Sequence, residues 1–102
     1  MKIIENLSDM IEEELHDAEK YIDCAMKWKE AKPALSAAFS RLSIAEMEHV
    51  GILHDQVVNL INEYRKEHGD PPERMQAIYD YLHERHIQKA NEIRVKQSLY
   101  RG

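Results

Sequence analysis

The sequence predicts an all-α chain of three helices, in which antiparallel helices 1 and 2 form half of a four-helix bundle completed by dimerisation. Three observations lead to the helices, and the dimer follows from the metal-ligand count below. Apolar residues recur at steps of three and four. Gly and Pro interrupt the chain only at "EAKPAL" and "EHGDPPER". No alternating strand pattern and no Asn-Gly hairpin signal occurs. At 102 residues the chain fits a single domain, residues 1 to 102, with one modest core.

Helix 1 is expected over residues 8 to 29, with Ser8 as its N-cap. Helix 2 is expected over 33 to 67, starting at Pro33, a residue tolerated in a first turn, and stopping before Gly69. Helix 3 follows over 72 to 99. On helix 1, Leu7, Ile11, Glu14, Ala18, Tyr21, Ala25 and Trp28 form one continuous face. On helix 2, Leu35, Phe39, Leu42, Glu46, His49, Leu53, Val57, Leu60 and Tyr64 form a narrow seam. Both stripes are expected to be core, and on helix 3 the apolar line is Met75, Ile78, Leu82, His86, Ala90 and Ile93.

Composition removes several classes of function. A net charge of −5, with Lys and Arg alternating with Asp and Glu, lacks the basic stripe that phosphate binding needs, so no nucleic-acid partner is expected. No apolar run is long enough to span a bilayer, and "MKIIENLSDM" lacks the apolar core of a signal peptide, so the expected location is cytoplasmic, away from membranes. Cys24 is the only cysteine, which rules out an intrachain disulfide and a four-cysteine metal site built from one chain.

Three polar residues interrupt the apolar stripes: Glu14, Glu46 and His49. Burying an unpaired carboxylate costs several kcal/mol, and neither stripe carries a Lys or Arg. A metal ion supplies the missing positive charge. Glu46 and His49, at i and i+3, point the same way, and Glu14 faces them from the antiparallel neighbour. Paired-metal sites in helix bundles use one Glu from each of two helices and a Glu-x-x-His from each of two others, twice what this chain offers. Two copies bring four carboxylates, whose summed charge of about −4 balances two divalent cations.

"ELHDAEKYIDCA" and "FSRLSIAEMEH", within a stretch from Glu14 to about Leu53, carry a resemblance to the ferritin-like superfamily, in particular to half of a rubrerythrin-type bundle. The resemblance implies that Glu14 is the first-helix carboxylate, Glu46 the bridging carboxylate and His49 the terminal imidazole, with Tyr21 near the site. It implies a dinuclear iron centre, two irons per dimer, in a homodimer or higher homo-oligomer. The third helix departs from the family pattern, because "YLHERHIQKANE" holds no second Glu-x-x-His. The cysteines of a rubredoxin-type electron-transfer module are also absent.

The expected chemistry is ferroxidase-like: oxidation of Fe(II) by dioxygen or peroxide, since carboxylates and imidazole with open positions suit iron. Manganese or zinc accept the same ligands. Tyr21 and His86 are candidate residues behind the ligands, each also readable as ordinary packing. The alternative is a metal-free helical dimer, an interaction or scaffold module in which Glu46 and His49 are paired by hydrogen bonds.

Overall fold

The computed structural model describes residues 1–100 as three α-helices, α1 (Lys2–Trp28), α2 (Pro33–His68) and α3 (Glu73–Leu99), with no strand among the described residues. The molecule is a rod of 56 × 18 × 17 Å. That length is set by α2, whose 36 residues rise about 1.5 Å each to roughly 54 Å.

Cross-links between the helices define how they run. Ser43 on α2 bonds to Ala18 on α1 and Ser36 to Ala25, so rising numbers on one helix meet falling numbers on the other, and α1 and α2 are antiparallel. Glu12 meets Arg85, Glu19 meets Lys89, and Asp23 meets Lys96, so α1 and α3 run parallel. Lys89 and Lys96 hold the Glu19 carboxyl below its ordinary value, first through the Lys89 hydrogen bond. His54 stacks on His83, and Arg65 donates to Gln76, which sets α3 antiparallel to α2. The α1–α2 pair is the extensively packed one; α3 lies along one side of it.

The start of α1 differs from the expectation. The helix begins at Lys2, and Ser8, expected as the cap, is a buried residue of its interior. Ile4 explains the extension: it is almost fully buried and continues the ladder Ile4, Ser8, Ile11, Leu15, Ala18, Ile22, Ala25 at steps of four and three. Helix 2 keeps its expected start at Pro33. It closes at Gly69, whose φ of 76° suits a residue without a Cβ and lets its N–H donate to the Arg65 carbonyl at 2.9 Å.

The core also lies on a different face of α2 from the seam the sequence suggests. The buried residues are Ser36, Ser43, Met47 and Val50, with Ser40, His54, Val57 and Ile61 half-buried in the same ladder. Leu35 and Leu42, each 44% exposed, lie beside it, and His49 is exposed as well. On α1 the expected Ile11, Ala18 and Ala25 are core, joined by Ile4, Leu15 and Ile22, while Leu7, Glu14, Tyr21 and Trp28 are only half-buried. The physical reason is the close contact of α1 and α2. Alanines meet serines there, and a serine hydroxyl that donates to a helix carbonyl is satisfied without water. On α3 the buried residue is Tyr79 rather than Ile78, alongside Ala90 and Ile93.

Candidate metal centre

Glu14 lies midway along α1, and Glu46 and His49 lie one turn apart on α2. The antiparallel register brings them together. His49 Nδ1 is 3.4 Å from Glu14 Oε2 and 3.7 Å from Glu46 Oε2. One donor atom from each of the three residues falls within 4.8 Å of the others. Carboxylate, carboxylate and imidazole form a donor set suited to a first-row divalent ion.

Burial within the triad is graded. The side chain of Glu46 is 17% exposed, that of Glu14 29% and that of His49 53%. The triad therefore sits at the rim of the α1–α2 contact, not inside the core as the stripes suggested. Within it, Glu14 Oε2 is a buried oxygen with no hydrogen-bond partner. A buried acceptor left without a donor is costly, and a cation between Glu14, Glu46 and His49 would satisfy it. On that count the residues fit a metal ion.

Comparison with protein-family models, with curated proteins and with solved structures found no match in any of the three.

The surroundings of the triad are apolar and uncovered. Leu35 and Leu42 precede it on α2, and Ile3 and Met10, about half-exposed, precede it on α1. Tyr21, one heptad beyond Glu14, is half-buried and stacks on Phe39 with ring centroids 6.2 Å apart. Helix α3 lies on the other side. It meets α1 through Glu12, Glu19 and Asp23, and residues two apart on a helix, such as Glu12 and Glu14, point about 200° apart.

His86 goes with α3. Its Nε2 lies 3.6 Å from Glu12 Oε1, on the face of α1 turned away from the triad, so the structure does not bring His86 to the metal-ligand group. Its side chain is only 12% exposed, and its Nε2 is buried without a hydrogen-bond partner. Burial pushes its pKa down, with Glu12 opposing. His54 and His83 stack at 4.9 Å between α2 and α3, a contact that spacing along the sequence does not announce because the two lie on different helices. Among the described residues no helix is long and apolar enough to cross a membrane.

Proposed function

We propose that this chain is a half-bundle of the ferritin-like kind in which Glu14, Glu46 and His49 supply one half of a dinuclear metal centre. A second copy, docked against the uncovered α1–α2 face, supplies the other half. The observation that carries the reading is the convergence of three donors from two helices around the unpartnered Glu14 Oε2, on the face that α3 leaves open. With α3 on the opposite side, face-to-face pairing of two α1–α2 hairpins makes a four-helix core with α3 outside it.

In that assembly Glu46, the least exposed of the three, would be the shared carboxylate, Glu14 would close one side and His49 would hold an ion against α2. Glu14, Glu46 and His49 of the two copies would hold two Fe(II) ions as substrate. Their oxidation to Fe(III) would supply two electrons which, with two protons from solvent, would reduce dioxygen to hydrogen peroxide or peroxide to water. Leu35, Phe39, Leu42 and Leu53 would exclude bulk water once the second copy covers them, which strengthens every electrostatic interaction inside. Manganese or zinc could take the same ligands.

The test is anaerobic Fe(II) titration of the purified protein, followed by air, beside a Glu46→Ala control. Binding of about one iron per chain, with ferric charge-transfer absorbance after air that the control lacks, supports a shared centre. No binding beyond the control overturns it.

One observation favours a second reading, a metal-free helical dimer serving as an interaction or scaffold module. His49 Nδ1 lies within 3.7 Å of both carboxylates, so the three side chains can be held together by contacts with one another rather than by a metal. Stability unaffected by chelators or added metal distinguishes this reading.

A further inference from the structure

Two layers of hydrogen bonds tie α1 and α2 to each other and to the C-terminal end of α3, the first through Gln97 and the second through Tyr100, the residue that caps it. In the first, the Ser43 hydroxyl donates to the Ala18 carbonyl at 2.7 Å, and Gln97 Nε2 on α3 donates to Ser43 Oγ at 2.9 Å. In the second, the Ser36 hydroxyl donates to the Ala25 carbonyl, which leaves Tyr100 Oη as the donor to Ser36 Oγ at 2.8 Å. Ser36 and Ser43 are both completely buried, as are Ala18 and Ala25. The layers are one heptad apart on α1 and on α2.

Where α1 and α2 meet through alanine and serine they approach closely, between layers of larger knobs such as Leu15, Ile22 and Met47. Polar pairs within such a contact specify register, because a slip leaves a buried hydroxyl without its acceptor. The two layers differ in their distance from the triad. Ser43 precedes Glu46 by three residues and Ala18 follows Glu14 by four, so the first layer lies about 5 Å along the axis from the ligands. Ser36 and Ala25 lie about 15 Å from them.

We propose that Ser43, backed by Gln97, is a positioning residue for the metal triad: it fixes the spacing and register at which Glu14 on α1 faces Glu46 and His49 on α2. The assignment rests on the metal reading above. It gives α3 a part in the site although α3 contributes no ligand: Gln97 anchors the hydroxyl that anchors α1. Removing Ser43 loosens the relative placement of the two halves of the ligand set, a change metal coordination reports more sharply than stability does. Ser36 is the built-in control, because its deletion removes the same chemistry from the same helix contact beyond reach of the ligands.

Cobalt(II) is the probe, since its visible absorption responds to ligand number and geometry. Wild type, Ser43→Ala and Ser36→Ala are titrated with cobalt(II) as full-length protein, and thermal melts without metal are recorded beside them. The expected result is a similar loss of melting temperature in both variants. Cobalt affinity should fall about tenfold, with a changed band shape, in Ser43→Ala alone. Equal affinities and superimposable bands in the two variants overturn the assignment while leaving the metal reading intact. A wild type that binds no cobalt(II) overturns the metal reading and this assignment with it. Should Ser43→Ala not fold, Gln97→Met, which removes the donor behind Ser43 but leaves the hydroxyl in place, takes its role. A cobalt affinity and band in Gln97→Met identical to those of Ser36→Ala would then overturn the assignment.

Discussion

His49 Nδ1 lies 3.4 Å from Glu14 Oε2 across the α1–α2 contact, and that carboxylate oxygen is buried without a hydrogen-bond partner. A half-buried carboxylate in this position lowers stability in the absence of a cation and becomes an asset in its presence. Glu14→Gln separates the two effects. The variant is expected to raise the stability of the metal-free protein by about 1 kcal/mol, read as a urea midpoint, because a neutral amide costs less to bury than a carboxylate whose Oε2 accepts no hydrogen bond. It should also lower Fe(II) affinity at least tenfold. A variant less stable than wild type without metal would show that Glu14 is already satisfied as it stands.

Metal binding to the folded state alone stabilises by mass action. With free metal at about one hundred times Kd the gain is about 2.7 kcal/mol, and it should disappear on chelation. In a domain of this size it raises Tm by roughly 10–20 °C. Melting curves with Fe(II) under anaerobic conditions, then with chelator, give the comparison. Coincident curves at saturating metal argue for the metal-free reading.

Leu42 lies exposed on the open face beside the triad, and Ile87, about as exposed, lies on α3. Leu42→Glu is expected to give monomers in sedimentation equilibrium and to lose the shared centre. Ile87→Glu should leave the assembly unchanged. Dissociation by Ile87→Glu but not by Leu42→Glu would place the interface elsewhere.

His86 gives the fold a sensitivity to acid. Burial depresses its pKa below the ordinary 6.5 of a histidine. The unfolded chain therefore takes up the proton first as pH falls. Stability from the neutral imidazole is complete above about pH 6.5 and declines as pH drops from there towards the lower folded value. Glu12 on α1 opposes the shift, Arg85 and His83 on α3 reinforce it, and His54 on α2 stacks on His83. Urea midpoints at pH 7.5 and 5.5 should fall with acid, and less so in His86→Gln. An equal fall in the variant would assign the effect to other groups.

Ile93 is fully buried where α3 packs on the hairpin, and Ile52 is exposed on α2. Ile93→Ala should cost about 2–5 kcal/mol by denaturant unfolding, against under about 0.5 kcal/mol for Ile52→Ala. Similar costs would mean that α3 contributes little to the core.

Much of the architecture is legible in the sequence. Pro33, Gly69 and the Pro71–Pro72 pair divide the chain where the helices divide, because ring closure and a positive φ are local constraints. Glu14, Glu46 and His49 are legible as a set for a similar reason: i, i+3 spacing and heptad phase follow from helix geometry alone. The sequence by itself therefore determined three helices, their breaks and the three residues that meet. It pointed to the wrong face of α2, since Leu35, Phe39 and Leu42 look more like core than the buried Ser36 and Ser43 do. Only the tertiary structure decided which face meets α1. A serine becomes a core residue when a neighbouring helix offers it a carbonyl, and a leucine stays exposed when no helix of its own chain reaches it. Folding placed α3 on the far side of the hairpin, setting His86 against Glu12 and leaving the triad at an uncovered rim, and no local pattern announces this because the contacts join residues seventy or more positions apart.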